Sequence, residues 1–229
     1  MNNLNKEPDG KIQNSILTRG ELTGAAKRRL SLINKEFRNA FEFISHFKKS
    51  VTIFGSTRVG LENPHYISAL NLAKRLSELG YTIVTGGGPG IMEAANRGAF
   101  EAGGKSVGLT IELPKRQPSN EFLTDQMNFH YFFTRKVALS FAAEAYIFYP
   151  GGFGTLDEFF EIITLVQTRK IRPVPVILIG QDYWNSLFRF LKNDVQEKHS
   201  AISPEDLKLF TITDNDEEIL KIIQEVPVY

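Results

Sequence analysis

Ala145-Tyr-Ile-Phe-Tyr-Pro-Gly-Gly-Phe-Gly-Thr-Leu-Asp-Glu158, running on into Phe159-Phe-Glu-Ile-Ile-Thr-Leu-Val166, is the stretch whose reading decides the fold. A short apolar run, a turn holding three glycines and then a helix-period pattern describe a strand that feeds a helix through a loop of bare backbone amides. Such a loop at a helix N-terminus suits an anion, and a carboxylate, Glu158, follows one turn on.

Outward from that unit the pattern repeats. Val51 to Ser56 reads as a strand, Pro64 to Leu79 as a helix with Pro in its first turn and Gly80 past its end, and Tyr81 to Thr85 as a strand. Gly86-Gly-Gly-Pro-Gly90 opens a helix over Ile91 to Ala102, and Ser106 to Ile111 is a strand followed by a polar, proline-bearing loop from Leu113 to Asn120. Asn128 to Phe133 reads as extended and Thr134 to Ala143 as a helix. After the opening unit come a strand at Val174 to Ile179, a helix at Tyr183 to Lys192, a strand at Leu209 to Thr213 and a helix at Glu217 to Glu225. Helices that alternate with strands apolar nearly throughout predict an α/β, doubly wound Rossmann-like parallel sheet with helices on both faces.

Upstream, Ala26, Leu30, Ile33, Phe37, Ala40, Ile44 and Phe47 recur at steps of four and three, one apolar stripe along an additional N-terminal helix. The expected organisation is a mobile tail over 1–20, an amphipathic helix over 21–49 and a nucleotide-binding domain over 50–229. The stripe fits a helix laid across its own domain or a seam with another subunit, the first more readily.

Bulk composition narrows the functions. The 229 residues carry a formal net charge of +1, which supplies no global field for nucleic acid or an anionic membrane surface. The absence of cysteine excludes disulfides and thiolate chemistry, and the polar start and the lack of a long apolar run lead to a cytoplasmic expectation. The four histidines, His46, His65, His130 and His199, show no metal-ligand spacing.

In a doubly wound sheet, ligands bind beyond the carboxyl ends of the strands. Gly55-Ser-Thr-Arg58, Gly86 to Gly90 and Gly151 to Thr155 should therefore meet there, with Ser56, Gly87, Gly88, Gly151, Gly152, Gly154 and Thr155 as substrate-binding candidates. None is a standard fingerprint. Ile91 stands where a dinucleotide loop needs its last glycine, so a dehydrogenase is weakly supported, and Ala99 to Ser106 imitates a P-loop in the reverse helix-to-strand order. Thr155-Leu-Asp-Glu158 has capping-box spacing, which fits Glu158 as well as a catalytic role does. Arg135 and Lys136 open a helix behind the aromatic run Phe129 to Phe133. Cations there oppose the helix dipole unless an anion lies close, so the pair reads either as phosphate or sugar ligands beside a base wall or as a solvated basic pair.

Gly86-Gly-Gly-Pro-Gly-Ile-Met-Glu-Ala-Ala-Asn-Arg-Gly-Ala99, Arg135-Lys136 and Pro150-Gly-Gly-Phe-Gly-Thr-Leu-Asp-Glu158 together resemble the Lonely Guy (LOG) family of nucleoside 5'-monophosphate phosphoribohydrolases, often labelled lysine decarboxylases. Gly108-Leu-Thr-Ile-Glu-Leu-Pro114 and Leu165-Val-Gln-Thr-Arg-Lys170 extend the likeness, which runs from about Val51 to the C-terminus. A pyridoxal-phosphate decarboxylase would need a larger scaffold and a Schiff-base lysine. The resemblance implies cleavage of the N-glycosidic bond of a purine-type 5'-monophosphate, AMP or a cytokinin riboside, to free base and ribose 5-phosphate. It further implies Arg135 and Glu158 as the catalytic pair, Lys136 beside them on the substrate, no metal or cofactor, and a homodimer or dimer-based assembly. Phe132-Phe-Thr134 stands where plant-like members tend to read Met-His-Glu, which implies a different base pocket. The alternative for the same loops is a nucleotide- or molybdenum-cofactor-binding carrier without turnover, which would need the glycines and not Glu158.

Overall fold

The computed structural model describes residues 19–112 and 118–226. The tail expected over 1–20 lies outside these as far as residue 18, and most of the loop from Leu113 to Asn120 also lies outside them. Two units divide the chain, Met1–Lys35 and Glu36–Tyr229. Helix α1, Arg19–Ser45, begins in the first and ends in the second.

Seven parallel strands form one sheet in the order β4-β3-β2-β1-β5-β6-β7. They are β1 (Ser50–Phe54), β2 (Thr82–Thr85), β3 (Ser106–Ile111), β4 (Asp125–Phe129), β5 (Ala145–Phe148), β6 (Val176–Leu178) and β7 (Thr211–Ile212). From β1 the chain winds outward to β4 and then returns, so that β5 pairs with β1 in the register Val51 to Ala145 through Phe54 to Phe148. The reversal makes the gap between β1 and β5 the topological switch point, where the ends of neighbouring strands diverge and leave a crevice.

Each face of the sheet has its own core because side chains alternate along a strand. Val51, Ile53, Ala145, Ile147 and Tyr149 pack with α2 (Pro64–Glu78), α3 (Ile91–Glu101) and α7 (Asp216–Gln224). Phe54, Tyr146 and Phe148 face α4 (Phe132–Phe141), α5 (Phe153–Gln167) and α6 (Gln181–Phe190), joined by Ala40, Ile44 and Phe47 from the α1 stripe and its extension. Leu30, in the first unit, is exposed. Asn63 caps α2 by accepting from His65 N, with Pro64 at N1, and Asn215 caps α7 by accepting from Glu217 N and Glu218 N. Among the described residues no helix is long and apolar enough to cross a membrane.

The doubly wound sheet stands as the sequence leads one to expect, with one strand displaced. The extended segment expected at Asn128 to Phe133 is β4 at Asp125–Phe129, and α4 starts at Phe132. As an edge strand β4 alternates between more and less exposed positions, so its polar residues hide the strand signal while the following aromatics mimic one.

Candidate active site

The carboxyl ends of β1, β2 and β5 open into a cleft of about 1070 Å³. Its frame is backbone. Ser56 N donates to Pro150 O at 3.0 Å and Ile91 N donates to Ser56 O at 3.0 Å, so the loops after β1, β2 and β5 are joined directly. Gly90 is required at this junction. Its φ is +72°, and a Cβ would stand 2.3 Å from Ser56 O.

The loop after β5 does what a glycine-rich strand-to-helix turn should. Helix α5 begins at Phe153 with Gly152 as N-cap and no side-chain cap, leaving the first-turn amides of Phe153, Gly154 and Thr155 for an outside acceptor. Tyr183 Oη donates to Gly151 O at 2.8 Å and steadies the turn. Gly151 has no room for a side chain, since a Cβ would lie 2.1 Å from Thr155 Oγ1. The capping box open to Thr155 and Glu158 does not form: the helix starts two residues before Thr155, and Glu158 Oε2 is buried without a hydrogen-bond partner.

Glu158 therefore points a bare carboxylate oxygen into the protein beside the cleft. Burial pushes its pKa up to about 7, above the ordinary 4.5. Lys136 and then Arg135 pull it down, and Asp157 adds a smaller upward push. Lys136 and Arg135 favour the ionised form, and desolvation outweighs their attraction. The environment poises this carboxyl near neutrality.

Arg135 enters the same cleft from α4. Its Nε donates to Leu109 O at 2.7 Å and its Nη2 reaches Gly86 O at 3.4 Å, which hold the guanidinium at the ends of β3 and β2. Burial pulls its pKa below the ordinary arginine value and the field of Glu158 opposes that. Lys136, one position on, turns away. It pairs with Asp157 at 2.5 Å and Glu161 at 2.7 Å, both on α5. It thus ties the two helices that carry Arg135 and Glu158 and does not line the cleft.

Of the residues expected at the site, Ser56, Arg135, Gly151, Gly152, Gly154, Thr155 and Glu158 line one cleft. Gly87 and Gly88 do not. Gly87 N donates to Thr85 Oγ1, Asn120 N to Gly87 O and Asn120 Nδ2 to Gly88 O, so these peptides face inward. Buried Asn96 anchors this support by accepting from Thr85 Oγ1 and Asn120 Nδ2 and donating to Ser106 Oγ. The wall takes Gly86 and Arg58 from the loops expected to meet there and Phe132 from the aromatic run read as a possible base wall, joined by Met92 and Phe153, which were not expected. Arg58, a lone cation in a small-residue loop after a strand, and the aromatics at the starts of the two site helices carried a readable signal.

Gly86 gives a test of the geometry. A Cβ there would meet Arg135 Nη2 at 2.1 Å and Met92 Sδ at 2.8 Å. Both are ends of long side chains, so the Gly86→Ala protein should fold while the guanidinium is displaced. We expect turnover to drop about 10- to 100-fold with a melting temperature close to wild type. Wild-type turnover would mean that Arg135 is not needed where it stands.

The family model described as possible lysine decarboxylase matches residues 92–223, which include Arg135 and Glu158. Two probable cytokinin riboside 5'-monophosphate phosphoribohydrolases of Oryza sativa subsp. japonica are similar. One is 29% identical over 194 residues, covering 81% of this chain and 87% of its own, and the other is 31% identical over 185 residues, covering 79% and 73%. A cytokinin riboside 5'-monophosphate phosphoribohydrolase of Arabidopsis thaliana is 29% identical over 184 residues, covering 79% and 83%. Among solved structures, the molybdenum cofactor carrier protein of Chlamydomonas reinhardtii shares the fold with a TM-score of 0.57, at 19% identity over 78% of this chain and 98% of that one. The molybdenum cofactor binding protein of Rippkaea orientalis does so at 0.53, with 22% identity over 77% and 94%.

Proposed function

We propose that this chain, which belongs to the Lonely Guy (LOG) phosphoribohydrolase family, hydrolyses the N-glycosidic bond of a purine-type nucleoside 5'-monophosphate, AMP or a cytokinin riboside, to free base and ribose 5-phosphate. The observation that carries the reading is the buried, unpartnered Oε2 of Glu158, a residue that stands one turn beyond the open N-terminus of α5 and lines one cleft with Arg135.

In this reading the amides of Phe153 to Thr155 and the dipole of α5 take the 5'-phosphate, so binding far from the reacting bond orients the ribose. As the bond from C1' to the base nitrogen lengthens, its electron pair leaves with the base and positive charge develops on the sugar. The ionised carboxylate of Glu158 stabilises that charge and accepts a proton from the water whose oxygen bonds to C1'. The departing base takes a proton from solvent. Arg135 supplies a fixed positive charge beside the phosphate and sugar hydroxyls. Phe132 and Phe153, both exposed on the rim, offer flat surfaces for the base, and the dimer or dimer-based assembly that belongs to the same proposal would cover Phe153.

The test is product analysis across AMP, its isopentenyl derivative, GMP and CMP. Free base and ribose 5-phosphate should appear from the purine substrates, AMP and its derivative foremost. Tight binding of a monophosphate with no base released would replace this reading with the carrier one.

A further inference from the structure

We propose that Glu36, on α1, is a positioning residue for Arg135, holding the first turn of α4 in the place where the guanidinium faces the cleft. The inference rests on the functional reading above and adds to it a residue upstream of the region matched by the family model.

Helix α4 lacks a cap of its own. Tyr131 occupies the N-cap position without a side-chain hydrogen bond, and no acidic side chain stands in the first turn. Glu36 of α1, the first residue of the sheet-bearing unit, places its carboxylate over this helix end. Its Oε1 accepts from His130 N at 2.7 Å, and its Oε2 accepts from Tyr131 N at 3.3 Å and from Thr134 Oγ1. Three donors at the start of α4 thus converge on one side chain that is 94 to 98 residues away in sequence.

Position and charge act together. Thr134, fully buried, immediately precedes Arg135, so the carboxylate fixes the turn from which the guanidinium departs. Two cations in succession, Arg135 and Lys136, oppose the dipole of α4, and a carboxylate at its N-terminus offsets that conflict. Packing keeps the part of α1 from Glu36 to Ser45 against α4: Phe37 meets Phe133 at 6.4 Å between ring centroids, Phe41 meets Phe141 edge-on at 5.7 Å, and Ala40 between them is fully buried. Glu36 does not line the cleft, so it acts through Arg135 and not on substrate.

The experiment compares Glu36→Gln, Glu36→Ala and Thr134→Val with wild type in the full chain. With AMP as substrate, kcat should fall about 10-fold for Gln and about 100-fold for Ala, with KM changing by less than kcat, because the amides of α5 hold the phosphate and stay in place. Gln keeps one acceptor oxygen and should partly rescue Ala. Facing Glu158 are Arg135 and Lys136 from α4 and Asp157 from α5, so loosening α4 removes attraction and should move the acidic limb of the rate profile to higher pH. Backbone hydrogen exchange should quicken at residues 131–138 and not in β1 or β5. Wild-type kcat and exchange in Glu36→Ala would overturn the proposal, as would a loss of activity that tracks only the folded fraction. Should Ala not fold, Gln and Thr134→Val give the same readings. If wild type releases no base from any monophosphate, the functional reading fails, while hydrogen exchange still decides whether Glu36 anchors α4.

Discussion

In Glu158→Gln, base release should fall by about 100- to 10,000-fold, the range of a positioned acid or base, while affinity for a 5'-monophosphate stays near wild type. Glutamine keeps the shape of the side chain and loses both the negative charge and the proton acceptor. The pH dependence follows from the raised pKa. Activity needs the ionised form, so wild-type kcat/KM should climb as pH rises through about 7 and flatten above it. A substrate phosphate also titrates, near pH 6, and that contribution is shared by every variant.

Stability should move the other way. A carboxyl whose folded pKa lies above its unfolded value favours the fold while protonated, fully so below the unfolded 4.5, and that contribution is lost as pH rises through about 7. The gap is worth on the order of 3 kcal/mol. Glu158→Gln should therefore be more heat-stable than wild type at pH 8, with the difference shrinking toward pH 5. A variant that retained turnover, or that melted lower than wild type at pH 8, would show that the carboxylate is a structural acceptor.

The largest effect on stability is expected at the next residue. Phe159 is fully buried, and its ring meets Phe148 at 5.6 Å, Trp184 at 5.5 Å and Phe210 at 5.5 Å, joining β5, α5, α6 and the segment before β7. Trp184 cannot turn into the space freely, because its Nε1 donates to Ile179 O at 3.1 Å. Phe159→Ala should cost about 3–5 kcal/mol and lower the melting temperature by roughly 6–20 °C. Thermal unfolding monitored by circular dichroism checks this. A loss below about 1 kcal/mol would mean that the surrounding rings close the cavity.

The fold was legible because its central strands are buried on both faces and written as largely apolar runs, as in Val51 to Phe54, broken only by Thr52, and Ala145 to Phe148. The cradle was legible because only glycine tolerates contacts such as that between Gly151 and Thr155. Gly87 and Gly88 misled because a glycine run reveals free amides and not their direction, and Thr85 and Asn120 claim these peptides. Lys136 misled because one step along a helix turns a side chain by about 100°, from the cleft to the carboxylates of α5. The oddity noted in the sequence, two cations at a helix start, did call for an anion. Part of the answer is Glu36, whose distance along the chain no local pattern spans.

The links from Ser56 N to Pro150 O and from Ile91 N to Ser56 O pass through peptide groups alone. A change of side chain at Ser56 that keeps its N–H leaves them intact. Arg58, Phe132 and Phe153 contribute side chains to the same wall and no main-chain tie of this kind. On the proposed reading, the site separates two layers: the frame that would place a phosphate relative to Glu158 belongs to the fold, and the choice of base would change by ordinary substitution around it.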